Sequence, residues 1–409
     1  MVIRAMAERV RAALADTPVV LLHGARQTGK STMARGMASG PRRARYLTFD
    51  DAATLSAARR DPQGFLAGLE GNLVIDEVQR VPPLFRAIKA EVDRDRRPGR
   101  FLLTGSAHIL MVPRLSESLA GRMEILTLWP FSQGEIEGSK EEFLDAVFAP
   151  GSFGITRAAS PKDIMGRMLA GGFPEAVARK DPGRRGDWYS AYLDTILQRD
   201  VRDMAGITRL DDMPRLLSIL ASRAGGLLGL LDVSRNLGIP YTSLRRYLVI
   251  LEMAFLVRLL PPWSRRVSAR LAKAPKVLLC DTGLAAHLEG MNAERLGRDP
   301  MAFGRMLESF VAIELVKQAE WCSSRPRLAH FRAYTGEEVD VVLEDRAGNV
   351  VGVEVKASVG VDERDFRGMK ALSSLAGKAF RRGVVLYRGG EVVPFGKDMY
   401  AVPIGALWG

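Results

Sequence analysis

The chain has 409 residues, of which 47% are hydrophobic and 26% charged, proportions that suit an ordinary globular protein with room for two or three domains. Its 59 lysines and arginines outnumber 47 aspartates and glutamates, a basic balance that suits a polyanionic partner such as nucleic acid. Only Cys280 and Cys322 are present, without metal-ligand spacing, and no apolar run reaches membrane-spanning length or forms a secretory leader; a disulfide scaffold, a zinc module and a membrane protein are therefore disfavoured, and a cytoplasmic setting is expected.

Met1 to Ala15 mixes charged and apolar residues as a short amphipathic helix does. Val19-Val20-Leu21-Leu22 then predicts a strand, and it feeds Gly24-Ala25-Arg26-Gln27-Thr28-Gly29-Lys30-Ser31-Thr32, beyond which the pattern turns helical. This is G-x-x-x-x-G-K-[S/T] in its strand–loop–helix context. Glycines at the two fixed positions let successive N–H groups converge on phosphate oxygens, and the helix N-terminus adds partial positive charge. A nucleoside triphosphate site follows, with ATP and Mg²⁺ as ligands. Gly24, Arg26, Gln27, Thr28, Gly29 and Thr32 form the loop, Lys30 reaches the β- and γ-phosphates, and the Ser31 hydroxyl ligates the metal.

Further strands are predicted at Arg45–Phe49, Asn72–Ile75, Arg100–Thr104 and Glu124–Leu128, with helices between. That alternation implies an α/β fold with a doubly wound parallel sheet, its working residues at the carboxyl ends of the strands. Leu73-Val74-Ile75-Asp76-Glu77 delivers acids to such an end beside the phosphate loop, the Walker B arrangement: Asp76 holds Mg²⁺ through its water shell and Glu77 polarises the attacking water. Thr104-Gly105-Ser106 places Ser106 either as a γ-phosphate sensor or as a simple turn residue. Arg122, in Ser118-Leu119-Ala120-Gly121-Arg122, is either an arginine finger, in cis or from a neighbouring subunit, or a solvated side chain.

Together the phosphate loop, Val74-Ile75-Asp76-Glu77-Val78-Gln79, Leu103-Thr104-Gly105-Ser106, Ser118 to Arg122 and Trp129-Pro130-Phe131-Ser132 resemble one family. It is the AAA+-like prokaryotic ATPases that carry a C-terminal domain of the DUF4143 type. The resemblance extends through most of the chain and implies an ATPase core of roughly the first 135 residues.

Beyond a Gly/Ser/Pro-rich stretch from Pro150 to Pro161, apolar residues between Trp188 and Arg202 recur at helical spacing. Leu230–Leu237 and Tyr241–Leu251 read as short helices about Gly238-Ile239-Pro240, and Phe255–Val257 with Val277–Leu279 as a β-wing. A winged helix with this composition suits the DNA backbone, through Arg245 and Arg246 on the second helix and Arg265, Arg266 and Arg270 in the wing, where Lys273 and Lys276 also lie. Such modules also serve as packing or oligomerisation units.

The last stretch predicts a helix at Arg305–Leu315, strands to either side of Thr335-Gly336 and Gly348-Asn349, a helix at Glu363–Leu375 and a strand at Gly383–Leu386. Asp340, then Glu354-x-Lys356 after a turn, with Glu308 on the upstream helix, looks like the core of the PD-(D/E)xK nuclease superfamily. That resemblance implies that Glu308, Asp340 and Glu354 hold Mg²⁺ while Lys356 orients the attacking water. Val339 departs from the superfamily's proline.

The expected organisation is therefore a P-loop AAA+-like domain (1–150), a linker and helical region (151–215), a winged helix (216–290) and a smaller α/β nuclease-like domain (291–409). The expected function is ATP binding and hydrolysis coupled to DNA binding or processing, with a homo-oligomer or protein partner in view and no membrane. The rival reading is a nucleotide-switched protein-interaction module, of a stress or toxin–antitoxin type, with an inactive nuclease fold. A metabolic kinase is disfavoured because Glu77 suits water activation.

Overall fold

A computed structural model describes residues 2–40, 43–106, 119–151, 153–154, 157–202, 211–265 and 274–409. The first sheet is built from β1 (Val19–His23), β2 (Ala44–Thr48), β3 (Asn72–Asp76), β4 (Phe101–Gly105) and β5 (Met123–Thr127). All pairs are parallel, in the order β2-β3-β4-β1-β5. Because strand side chains alternate, Val20 and Leu22 of β1 face one layer, with α1 (Met6–Asp16) and α2 (Lys30–Ala38), while Val19 and Leu21 face another with α3 (Ala52–Arg60) and α4 (Leu84–Arg94). Helices on both faces leave the carboxyl ends of β1, β3 and β4 side by side.

After β5 come α5 (Gln133–Glu137), α6 (Pro161–Ala170) and α7 (Pro182–Thr195), the last running straight into a π-helical turn at Ile196–Val201. Next are α8 (Asp212–Ser222), α9 (Leu230–Leu237) and α10 (Tyr241–Met253), then β6 (Val257–Leu260) paired antiparallel with β7 (Lys276–Leu279). Gly238 closes α9 in the left-handed region, at φ +63°, the conformation a helix C-terminus favours glycine for. One apolar core joins Tyr189, Tyr192 and Ile196 of the α7 region to Leu216, Leu244, Leu251 and Val277, so these elements stand or fall together.

The chain then passes through α11 (Thr282–Leu288) into α12 (Pro300–Gln318) and the second sheet. Here β8 (Arg327–Arg332), β9 (Glu338–Glu344) and β10 (Val350–Val355) form an antiparallel meander, α13 (Arg367–Ala376) crosses over, and β11 (Phe380–Tyr387) returns parallel to β10. β12 (Val393–Pro394) and β13 (Met399–Pro403) complete a mixed sheet in the order β12-β13-β11-β10-β9-β8.

α12 is apolar around its circumference and buried along most of its length. Several of its polar exceptions are matched across the interface. Lys317 Nζ lies 2.6 Å from Glu314 Oε1 and donates to the Phe131 carbonyl at 2.9 Å, the Gln133 N–H donates to Glu314 Oε2 at 2.9 Å, and Gln318 Nε2 donates to the Leu407 carbonyl at 2.6 Å. The helix thus ties the segment after β5 to the end of the second sheet. Both cysteines are free and buried, and no helix among the described residues is long and apolar enough to cross a membrane.

Removing one member of a fully buried pair strands the other's charge. Lys317→Met is expected to cost about 3–5 kcal/mol, read by scanning calorimetry as a lowered thermal midpoint; Arg184→Met, on an exposed pair with Asp187, should leave the midpoint nearly unchanged.

Candidate active site

The phosphate loop follows β1, an interior strand flanked by β4 and β5. A Cβ at Gly24 would stand 2.2 Å from the Leu128 carbonyl oxygen, so only glycine lets the loop cross the end of β5 so closely. Gly29 caps α2 at φ +91°, and Gln27, exposed at the loop's turn, also sits in the left-handed region at φ +60°. Arg4 braces the loop from outside, donating to the Thr28 carbonyl and the Trp129 carbonyl at 2.7 Å each, and pairing with Glu135. Thr28 turns its hydroxyl inward to the Ala25 carbonyl at 3.0 Å, and Thr32 lies exposed on α2.

Lys30 is buried, its Nζ held by the loop's own carbonyls, at 2.6 Å from Ala25 O and 3.1 Å from Gly24 O. Burial brings its pKa down to about 8, against the pull of Glu77 and Asp76. His23, at the end of β1, is lowered to about 4 by burial and by Lys30, so it is neutral at physiological pH. The loop has folded onto its lysine, whose ammonium is met by backbone carbonyls.

Asp76 is a hub. Ser31 Oγ donates to its Oδ1 at 3.0 Å, Tyr46 OH to its Oδ2 at 2.7 Å, and the Thr104 hydroxyl also reaches Oδ1. Partial burial raises the Tyr46 phenol to about 12 and Asp76 pushes it the same way, so the tyrosine remains a donor. A hydroxyl and a carboxylate in contact beside the lysine are the hard oxygen donors Mg²⁺ takes, and on that chemistry Ser31 and Asp76 fit the ion. Glu77 sits in the left-handed region at φ +60°, its N–H donating to Thr104 Oγ1 at 3.2 Å; strain of this kind in a non-glycine residue is characteristic of functional sites. Gln79 Nε2 donates both to Glu77 Oε2 at 2.5 Å and to Ser106 Oγ at 3.1 Å. Ser106 is thereby linked to Glu77 through a glutamine for which sequence reasoning gave no role.

Arg122 stands elsewhere. It precedes β5 at the amino-terminal end of the sheet, its carbonyl accepting from the Val19 N–H, with Nε 2.5 Å from Asp93 Oδ1 on α4. Five strand residues separate it from the carboxyl ends, about 16 Å at the usual rise, so it does not reach the phosphate loop of its own chain. The loop carries an arginine of its own, Arg26, whose Nε and Nη2 meet Asp200 Oδ2 and Oδ1 at 2.6 and 2.7 Å.

The middle elements present Arg245 and Arg246 on the exposed side of α10, and Arg265 is exposed beyond β6. Arg266, Arg270 and Lys273 lie outside the described residues. Lys276 is no wing cation: it is 5% exposed, on the first residue of β7. The chain after β6 is docked as well, with the Trp263 N–H donating to the His330 carbonyl on β8 at 2.6 Å.

Lys276 meets the acids expected as a metal set, Glu308, Asp340 and Glu354. Its ammonium lies 2.8 Å from Asp340 Oδ1, and the Val355 N–H donates to Asp340 Oδ2 at 3.0 Å, so both carboxylate oxygens are engaged. Glu308 shares a small cavity with Gly225, Lys276, Leu278 and Asp340. Burial, followed by the Asp340 charge, raises Glu308 to about 7 and Glu354 to about 8. Lys356 Nζ is 3.1 Å from Glu354 Oε1. Among the described residues no cluster of acids, histidines or cysteines is arranged to hold a metal ion. Lys276 supplies positive charge beside these acids.

Residues 16–137 match the family described as an AAA domain, residues 303–407 a domain of unknown function (DUF4143), and residues 161–295 another domain of unknown function (DUF8612). Over 98% of its length the chain is 32% identical to uncharacterized protein Rv2008c of Mycobacterium tuberculosis, covering 83% of that protein. It is equally similar to uncharacterized protein Mb2031c of Mycobacterium bovis. An uncharacterized protein of Haemophilus influenzae is 24% identical over 60% of the chain and 57% of its own length. Among solved structures, a single-substitution variant of Thermotoga maritima RuvB aligns with 62% of this chain and 88% of its own at 18% identity and a TM-score of 0.30.

With Lys276 seated on Asp340, supercoiled plasmid incubated with the protein, Mg²⁺ and ATP is expected to stay intact on agarose gels. Nicking by the wild type that Glu354→Ala abolishes would show instead that the acids hold a metal.

Proposed function

The chain belongs to the family of P-loop proteins that join an amino-terminal AAA domain to a carboxy-terminal DUF4143 domain, and from that premise we propose that it hydrolyses ATP to switch its grip on DNA. The observation that carries the reading is the convergence at three neighbouring strand ends of Lys30, the Ser31–Asp76 pair and the Glu77–Gln79–Ser106 chain. Lys30 exchanges its loop carbonyls for phosphate oxygens, and the N–H groups at the start of α2 receive the rest of the charge. Ser31 and Asp76 would hold Mg²⁺, which would neutralise charge on the phosphates. Glu77 accepts a hydrogen bond from the attacking water, and Gln79 sets its carboxylate while sharing its amide with Ser106. If Arg122 serves as a finger, it serves a neighbouring subunit, which requires a homo-oligomer.

In the DNA part of the proposal, α9 to β7 act as a winged helix within residues 216–290, with Arg245, Arg246 and Arg265 neutralising phosphates. The Lys276–Asp340 pair supports a carboxy-terminal domain that binds rather than cleaves. That same observation favours the second reading, a nucleotide-switched platform for an acidic protein. Salt separates them: duplex affinity should fall steeply with salt, and Arg245→Ala with Arg246→Ala should flatten the log–log slope by about 0.9 for each phosphate left without its arginine. Absence of duplex binding at low salt supports the protein partner.

Glu77→Gln should keep ATP affinity and lower kcat by about 10²–10⁴, whereas Lys30→Ala should lose binding itself. Steady-state phosphate release and nucleotide titration distinguish the two. The depressed pKa of Lys30 also fixes a pH dependence. Below about pH 8 the ammonium is already present; above it, binding must take up a proton that the phosphates stabilise. The dissociation constant should therefore rise with pH, by up to about tenfold per unit above that pKa. Calorimetry in buffers of different ionisation enthalpy should register the proton uptake above about pH 8 and none well below it.

A further inference from the structure

Asp200 is almost completely buried, at 1% exposure, in the π-helical turn that continues α7. Turns of this type are rare and concentrate at functional positions. Its partner is Arg26, a residue of the phosphate loop 174 positions earlier, held in a two-pronged pair at 2.6 and 2.7 Å. The Asp200 hydrogen bond raises the Arg26 pKa against the effect of burial, with Glu77 and Tyr192 acting in the same direction. Lys30 in turn lies within the electrostatic reach of Glu77, Arg26 and Asp200. The Tyr192 hydroxyl, two turns back on α7, is buried with no hydrogen-bond partner among the described residues. A guanidinium, two acids and an ammonium are therefore concentrated where the loop meets α7, and neither the AAA pattern nor the water-activating acid accounts for the Arg26–Asp200 pair.

A second contact joins the same surfaces. Phe255, between α10 and β6, sets its ring 5.2 Å from His23 at the end of β1 and 5.4 Å from Trp129, with its backbone in the left-handed region at φ +57°. Asp200 and Phe255 belong to one apolar region: Leu197, Val201, Tyr192 and Phe255 are members of the same core. What happens at Arg26 is thus mechanically continuous with α10.

We propose that Arg26 and Asp200 form a nucleotide-responsive latch: without a terminal phosphate Asp200 holds the guanidinium, and when the phosphate arrives beside Lys30 the guanidinium transfers to it and frees α7. The inference rests on the reading that this loop holds a nucleoside triphosphate. The exchange is chemically even-handed, since carboxylate and phosphate both accept a guanidinium fork bidentately, and the greater charge of a γ-phosphate tips it. A diphosphate, lacking that group, leaves the latch closed. Asp200 is accordingly a positioning residue that acts through Arg26 and discriminates ATP from ADP.

The test compares wild type, Asp200→Asn, Arg26→Ala and the double variant, using a slowly hydrolysed ATP analogue and ADP. Asp200→Asn keeps the side chain's size and removes the competitor, so the ATP analogue should bind about tenfold tighter, the worth of a charged hydrogen bond, while ADP affinity stays near wild type. Arg26→Ala should narrow the difference between the two nucleotides to what Lys30 alone sustains, and the double variant should match it. Hydrogen exchange over residues 182–201 should accelerate with the ATP analogue in the wild type and be fast without nucleotide in Asp200→Asn. If Asp200→Asn shifts both nucleotides equally and exchange over 182–201 ignores nucleotide, Asp200 merely braces the fold and the latch is wrong. If instead the wild type binds neither nucleotide, or Lys30→Ala binds both unchanged, the nucleotide reading itself fails.

Discussion

The buried ion pair between Glu314 and Lys317 is the constraint on which the arrangement of the molecule rests. Taking both charges out of water is costly, and the cost is offset only where every remaining lone pair and proton is satisfied. Here the satisfaction comes from the chain on the far side of the interface: the Phe131 carbonyl accepts from Lys317 and the Gln133 N–H donates to Glu314. Glu141, nearby, is raised to about 8 by burial and by the Glu314 charge. α12 therefore fits only one partner surface, the segment that leaves β5, and it fits in one register. A purely apolar helix in its place would bind the first sheet as strongly and orient it less.

That orientation matters because the candidate active site is shared between units. β1, β3 and β4 bring the phosphate loop, Asp76 and Ser106 together, yet Arg26 is held by a residue from the π-helical turn and His23 is covered by Phe255. A P-loop domain on its own would present these groups to water. In this chain the loop's arginine and the strand's terminal histidine are both capped by the middle region, so the state of the loop and the pose of the helices are one mechanical problem. The carboxy-terminal sheet is tied to the same body by Lys276 and by the Trp263–His330 bridge.

The parts legible in the sequence are those whose physics is local. Glycine spacing, apolar runs and paired acids locate the loop and the strand ends to within a residue or so, and the Gly238-Ile239-Pro240 break separates α9 from α10 where expected. Pairings across long stretches are what sequence reading misses. Lys276 ends a basic run that contains no acid, and its partner lies 64 positions away; Asp200 looks like one polar position on a helix, and Tyr46 like an ordinary strand tyrosine. Arg122 misleads for a different reason: its motif is suggestive, but its side of the sheet follows from strand direction. Gln79 was within reach, since Glu77 and Gln79 are two residues apart on a chain that turns sharply after β3. A buried aspartate among Ile196, Leu197 and Val201 is itself a signal that a cation waits elsewhere.

The strand order β2-β3-β4-β1-β5 also dictates an order of assembly. β1 is made first and finds no neighbour among the segments that follow it directly; its partners are β4, paired from Val19 to Phe101, and β5, paired from Val19 to Met123. As the chain emerges from the ribosome, β2 and β3 can form a parallel pair while the phosphate loop still hangs from an unpaired apolar strand. Loop closure over so many residues is slow, and the exposed Val19–Leu22 edge is the kind of surface that invites association with other chains. The placement that buries β1 fully in the finished sheet leaves it vulnerable during synthesis.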